Sequence, residues 1–258
     1  MNFIDTHAHL YDEIFENDLD EIVKRSKDNG IYKIFLPNID EKSLAAMLNL
    51  AATDTNYFYP MLGLHPTSVT LNIEKQLNFL KSHITKSNSF IAIGEIGIDL
   101  YWSKKLIEQQ IFAFEQQMLW SFEYNLPVVI HNRNACDEIL LSLKKLNKQT
   151  YHGIFHCFSG DIDIAEKVIE MGFVLGIGGI ITFKNNSNLQ NIIAKIPLNK
   201  LVLETDCPYL APVPFRGKRN ESSYIPLIAQ KIAEIKSISI EEVAEITTNT
   251  ALELLNLA

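Results

Sequence analysis

The sequence predicts an α/β fold, a single-domain (β/α)8 barrel of the TIM type spanning residues 1–258, and three observations carry that expectation. First, eight short β-rich blocks recur along the chain: Phe3 to His7, Tyr32 to Pro37, Phe58 to Gly63, Phe90 to Glu95, Pro127 to His131, Gly153 to His156, Phe173 to Gly178 and Leu201 to Thr205. Second, helix-period segments separate the blocks, and strands that alternate with helices build parallel sheets through crossover connections. Third, the interior blocks are continuous apolar runs, as strands covered on both faces must be, and no glycine fingerprint follows the first of them. At this length eight such units close a barrel better than they extend an open sheet, and the active site then belongs at the C-terminal rim of the strands.

The first block starts almost at the first residue and leads to a helical stretch, Asp18 to Asn29, in which Leu19, Ile22 and Val23 precede the breaker Gly30. The second and third blocks end at the turn residues Pro37 and Gly63, and the fourth ends in Ile93-Gly94-Glu95-Ile96-Gly97. Between the fourth and fifth, Lys105 to Tyr124 carries Ile107, Ile111, Phe114, Met118 and Leu119 on a recurring face. Val128-Val129-Ile130 is the apolar run of the fifth. After the eighth block, the run from Cys207 to Asn220 holds Pro208, Pro212 and Pro214 and ends in Arg216, Lys218 and Arg219, so it is a basic loop and not a helix. Two helical patterns close the chain, Tyr224 to Lys236 and Ile240 to Leu255, the second entered by a Ser239-x-x-Glu242 capping box.

Composition narrows the function classes. A net charge of −8 excludes broad electrostatic adhesion to nucleic acid, which depends on phosphate neutralisation, but not a nucleic-acid substrate at one cleft where divalent cations reverse the local field. No apolar run reaches the roughly 18 to 20 residues that cross a bilayer, and no basic and apolar leader precedes the first strand, so no membrane partner and a cytoplasmic location are expected. Cys136, Cys157 and Cys207 are widely spaced and lack a Cys-x-x-Cys pairing; they read as reduced thiols without a role. Nothing in the chain calls for an obligatory protein partner.

The polar residues at the strand ends point to chemistry. His7 and His9 are two apart, so an extended backbone offers both imidazoles to one point. Glu95 ends the fourth block, His131 the fifth and His156 the sixth, and Asp206 follows the eighth, so six nitrogen and oxygen donors from five strands arrive at one rim. That is more than one tetrahedral ion with an open position requires. The set fits two divalent ions, Mg, Mn or Zn, with Glu95 as the bridge because a carboxylate can span two ions.

Around them, Glu204 shares the face of Asp206 and is open between supporting a ligand and orienting a water; Asp5 is open between a hydrogen bond at the barrel floor and a place behind the ligands. His65, in Gly63-Leu64-His65-Pro66, reaches the rim as a phosphate contact, a proton donor or a loop cap. Arg133, Arg216, Lys218 and Arg219 give the rim its concentrated positive charge, suited to phosphate oxygens or simply to solvent. Gly94, Gly97 and Gly160 beside the ligands leave room for a substrate. Asp99 stays unassigned, and His83 and His152 fall outside the set.

These runs resemble the TatD-type metal-dependent deoxyribonucleases of the amidohydrolase-like barrel superfamily. The resemblance rests on Ile4-Asp5-Thr6-His7-Ala8-His9-Leu10, Gly63-Leu64-His65-Pro66, Ile93-Gly94-Glu95-Ile96-Gly97-Ile98-Asp99, Pro127-Val128-Val129-Ile130-His131, His156-Cys157-Phe158-Ser159-Gly160 and Glu204-Thr205-Asp206-Cys207-Pro208-Tyr209-Leu210-Ala211-Pro212. It implies that His7, His9, Glu95 and Asp206 bind one ion and Glu95, His131 and His156 the other. It also implies metal-dependent cleavage of DNA, often 3′ to 5′, and a link to DNA repair. Phe215 and Ser222 depart from the family pattern, where histidine and proline are frequent, and this touches only the basic loop.

The expected function is therefore hydrolysis of DNA phosphodiester bonds through a metal-bridging hydroxide, with Asp206, Glu204 and Glu95 as catalytic residues and His65, Arg133, Arg216 and Arg219 as substrate contacts. Two alternatives are hydrolysis of a small amide, lactone or phosphoester, and a non-catalytic metal-binding scaffold. Related barrels that cleave small molecules often bridge their ions with a modified lysine on the fourth strand, where this chain has Glu95.

Overall fold

The computed structural model describes residues 1–84 and 89–257. Its strands are β1 (Phe3–Asp5), β2 (Ile31–Leu36), β3 (Phe58–Pro60), β4 (Ile93–Asp99), β5 (Val128–Arg133), β6 (Gly153–Phe155), β7 (Phe173–Ile177) and β8 (Leu201–Leu203). The helices are α1 (Leu19–Asp28), α2 (Ser43–Thr53), α3 (Ile73–Ile84), α4 (Ile107–Tyr124), α5 (Cys136–Leu146), α6 (Ile162–Glu170), α7 (Ser187–Lys195), α8 (Ile225–Lys236) and α9 (Ile240–Leu254). Every strand pair is parallel, in two ladders ordered β1-β2-β3 and β4-β5-β6-β7-β8.

Short backbone seams join the ladders into one barrel. At one seam Ala8 bridges Cys207, with Thr6 N donating to Leu203 O and Asp206 N to His7 O; at the other Leu62 bridges Ile93, with Gly94 N donating to Leu62 O. The seams are single bridges because β1 and β3 are three residues long and the chain beyond them turns toward the rim.

Each of the eight strand segments contributes one residue to an inner layer: Ile4, Phe35, Met61, Ala92, Val129, Ile154, Val174 and Val202. Ala251, Leu254 and Leu255, from the end of α9 and just beyond, close this layer from below. A larger apolar cluster fills the space between the strands and the helical ring. Full burial of one such aliphatic side chain contributes about 1.5–3 kcal/mol, so the barrel floor is a firm base for a polar rim.

Two boundaries differ from the sequence reading. β4 continues past Glu95 to Asp99 and β5 past His131 to Arg133, paired as Gly97 with His131 and Asp99 with Arg133. Gly94 and Gly97 look like strand-ending turn residues, yet they permit close strand approach. A Cβ on Gly94 would lie 2.7 Å from the Val129 side chain, and one on Gly97, whose φ is +149°, would lie 2.0 Å from His131 O. A Cβ on Gly160 would likewise meet the Phe158 ring at 2.9 Å. These glycines serve backbone packing and do not hold open space for a substrate.

The helices that the periodicity predicts form within two residues of their expected ends, and Ser239 caps α9 by accepting from Glu242 N. Cys207 to Asn220 contains no helix. Asn220 pins that loop, donating through Nδ2 to Thr205 O and Tyr209 O at 2.7 and 2.6 Å.

Candidate metal centre

The rim brings the six expected donors together, four of them facing one carboxylate, Glu95. Glu95 Oε2 lies 3.1 Å from His7 Nε2 and 3.8 Å from His9 Nε2. Its other oxygen, Oε1, lies 2.7 Å from His131 Nδ1, 3.5 Å from His65 Nε2 and 3.8 Å from His156 Nε2. Asp206 Oδ1 faces His9, His156 and His7 at 3.5, 3.7 and 3.8 Å, and the His7 and His156 rings stack with centroids 3.5 Å apart. One acid oxygen thus faces each of two donor groups.

The local backbone explains the aim of these side chains. Asn38 accepts at its carbonyl from Glu95 N and donates through its own N to Gly94 O, which clamps the Glu95 backbone from the loop just after β2. Asp206 has φ +56°, a left-handed conformation that aspartate tolerates better than most residues. Asp5 accepts from Thr205 N at 2.9 Å, Thr205 Oγ1 at 2.6 Å and His7 N at 3.3 Å, so of its two readings the place behind the ligands is the observed one.

Partners behind the rings set which nitrogen faces inward. Tyr11 Oη donates to Pro37 O at 2.5 Å and lies 3.0 Å from His9 Nδ1, so it accepts the Nδ1 proton and leaves the Nε2 lone pair facing His7 Nε2, 3.3 Å away. Two ring nitrogens aimed at one point with an acid on each side are a donor set suited to a cation. His131 Nε2 lies 3.1 Å from Asp99 Oδ2, and His156 Nδ1 lies 3.1 Å from Glu204 Oε2, off the axis of a good hydrogen bond.

Glu204 itself is fully buried, accepts from Cys157 N at 2.5 Å and packs against Gly176, where a Cβ would come within 2.2 Å of its Oε2. Its Oε2 lies 3.1 Å from His156 Nδ1, which places the carboxylate behind that ring. Gly176→Ala should lower the melting temperature by about 2–12 °C, because the added methyl overpacks a buried carboxylate that Cys157 N already holds. The same change should lower turnover about tenfold by tilting His156, and a variant with wild-type kcat would remove Glu204 from the site.

Electrostatics follow from six ionisable groups in little water. Burial by itself lowers the His156 pKa, but Glu204, Glu95 and Asp206 together raise it to about 10. Burial likewise opposes His131, which Asp99 and Glu95 bring up to about 8. Burial and the neighbouring His156 take His7 down to about 4. Burial would raise both acids, yet the surrounding imidazoles hold Glu95 well below its ordinary value and Asp206 below its own. The acids stay ionised because the imidazoles around them stabilise their charge.

His65 differs from the other rings. Its Nδ1 accepts from Thr67 N at 3.2 Å, so a neutral ring carries its proton on Nε2, which points toward Glu95 Oε1. His65 is therefore a donor into the basin, at its open side: the His65, His131 and Asp206 side chains are 14 to 17% exposed while His7 is fully buried. Sequence reasoning left Asp99 unassigned and missed Tyr11, whose signal was its place two residues after His9.

The basic residues are not brought together as one patch. Arg133 Cζ sits 3.9 Å above the Tyr101 ring, and Arg216 Cζ lies 4.3 Å from Phe183. Arg219 corrects the expectation of a substrate contact: two of its guanidinium nitrogens donate to Asp18 and one also to Ile14 O, fastening the loop to the start of α1. Arg25 and Glu221 form a second bidentate pair beside it. His83 Nδ1 lies 2.9 Å from Phe79 O on exposed α3, and His152 Nε2 lies 2.6 Å from Leu254 O at the barrel floor.

Comparison with known proteins agrees with this geometry. A family model described as TatD related DNase matches residues 4–256. The metal-dependent hydrolase YabD of Bacillus subtilis is 37% identical over 250 residues, covering 97% of each chain. The metal-dependent hydrolase YjjV of Escherichia coli K12 is 31% identical over 257 residues, covering 98% of each. The crystal structure of that TatD homolog superposes with a TM-score of 0.93 at 30% identity, covering 99% of this chain and 98% of its own. Among the described residues no helix is long and apolar enough to cross a membrane. A barrel whose rim holds acids and imidazoles in this order, matched from end to end, places the chain in the TatD related DNase family, as a metal-dependent hydrolase acting on ester bonds.

Proposed function

We propose that the protein hydrolyses DNA phosphodiester bonds, removing nucleotides from a 3′ end, with two divalent ions, Mg, Mn or Zn, held by His7, His9, Glu95 and Asp206 on one side and Glu95, His131 and His156 on the other. The observation that carries this reading is the division of the Glu95 carboxylate, one oxygen toward His7 and His9 and the other toward His131, His65 and His156. Cations bound there would polarise phosphorus–oxygen bonds and make the attacking water more acidic.

The chain's own groups do the rest. Asp206 is ionised, and its side chain is 17% exposed against 3% for Glu95, so it is the acid placed to take a proton from water entering at the open side. Glu204 and Asp99 hold His156 and His131 in place from behind. His65 Nε2–H donates to a phosphate oxygen, and Arg133 and Arg216 supply further phosphate contacts. Trimming of damaged 3′ ends in the cytoplasm is the setting we assign to this activity.

Elemental analysis and a nuclease assay on one preparation test the reading. Protein stripped of metal and resupplied with Mn or Mg should degrade DNA; activity on small amides or lactones with none on oligonucleotides would replace it. His65→Ala should keep the metal content and lower kcat about 10- to 100-fold. Loss of an ion in that variant would instead make His65 a ligand.

A further inference from the structure

The loop after β4 carries two large exposed rings, Tyr101 at 54% and Trp102 at 70% exposure. Rings that open to water are costly to leave uncovered, and here they stand on the same rim as the acids. Asp99 ties them to the site: one oxygen accepts from Tyr101 N and Trp102 N at 2.9 and 3.4 Å, the other lies 3.1 Å from His131 Nε2. A shift of this loop would therefore move His131.

Arg133 completes the cluster. Its Cζ lies 3.9 Å from the Tyr101 ring centroid and 5.2 Å from that of Trp102, and among the described residues it has no carboxylate partner. The two rings meet edge to face at 5.0 Å, so each keeps a face clear of the other. Along β5, Arg133 stands two residues beyond His131 on the same side of the strand, about 6.6 Å further out, a span comparable with one extended nucleotide. The cationic group is thus placed for the phosphate next to the one being cleaved, and the rings for the base between them.

Charge argues for stacking as the source of affinity. With a net charge of −8 the molecule gains little from counterion release, whereas a base on an aromatic face binds through dispersion and buried area whatever the sequence. A base must be unstacked from its neighbours to use such a face, which selects single strands and frayed ends over paired duplex.

We propose that Tyr101, Trp102 and Arg133 form a stacking site for the unpaired base that flanks the scissile phosphodiester. This deepens the phosphodiesterase reading and rests on it.

The chain has two tryptophans, and the other, Trp120, is 4% exposed, so a change of fluorescence on binding reports Trp102. Titration of the metal-loaded protein with a phosphorothioate oligothymidylate should quench the emission, and a blunt duplex should not. Trp102→Ala, at an exposed position, should weaken single-strand binding about 5- to 150-fold, and Trp102→Phe should restore most of it. An abasic residue beside the scissile bond should lower kcat/KM about tenfold for the wild type and less than about twofold for Trp102→Ala.

Cleavage of single strands without quenching, and with Trp102→Ala equal to wild type, would overturn the stacking site and leave the phosphodiesterase reading standing. Absence of phosphodiester cleavage by the wild type with Mg, Mn or Zn would sink that reading and the stacking site with it. Quenching that follows protein concentration instead of oligonucleotide would give the face to a second copy of the chain and end the proposal.

Discussion

Glu95→Ala should lower phosphodiester hydrolysis about a thousand-fold or more, the equivalent of about 4 kcal/mol of transition-state stabilisation, and should reduce the metal content of the purified protein. The magnitude follows from position. Among the described residues Glu95 is the one side chain with an oxygen toward each donor group, so its loss weakens both, whereas His156→Ala removes a single nitrogen. The change also leaves several imidazoles without the acid that opposes their charge. Glu95→Gln separates the possibilities because it keeps the shape and removes the charge: it should fold like the wild type and still lose metal. Full metal content with wild-type kcat in either variant would show that the carboxylate does not join two ion sites.

Asp5→Ala should destabilise the fold by about 3 kcal/mol, a fall in melting temperature of about 6–12 °C for a chain of this size. Asp5 is fully buried and satisfies three donors, Thr205 N, Thr205 Oγ1 and His7 N, across the seam that joins β1 to β8. Burial raises its pKa to about 6 in spite of those bonds, so the carboxylate is held in a costly place by what it connects. Alanine would leave those donors in an apolar seam with no water to reach them. Calorimetry with and without metal checks the size of the loss, and Asp5→Asn, which can still accept, should recover about half. A melting temperature within about 2 °C of wild type would mean that the seam depends on the backbone bonds alone.

The barrel was legible because burial imposes periods that a sequence must show: strands covered on both faces read as apolar runs, and crossover helices as apolar faces between them. The rim donors His7, His9, Glu95, His131, His156 and Asp206 stood out for a related reason, since polar residues following apolar runs need partners there. What the pattern concealed was partnership across the chain. Arg219 looks free until Asp18 is placed beside it, 201 residues away. Tyr11 gains its meaning from Pro37 O, and Asp99 from lying within reach of His131 on the neighbouring strand. Glycines mark turns and close approaches with the same letter, so Gly94 and Gly97 revealed their packing role only against β5.

By itself, then, the sequence determined the eight-fold alternation and the set of residues that reach the rim, because both follow from local periodicity and burial. Which oxygen of Glu95 faces which imidazole, which nitrogen of each ring is left free, and which arginines remain unpaired were decided by the tertiary structure alone. Those properties depend on distances between groups far apart in the chain, and they exist only once the barrel has closed.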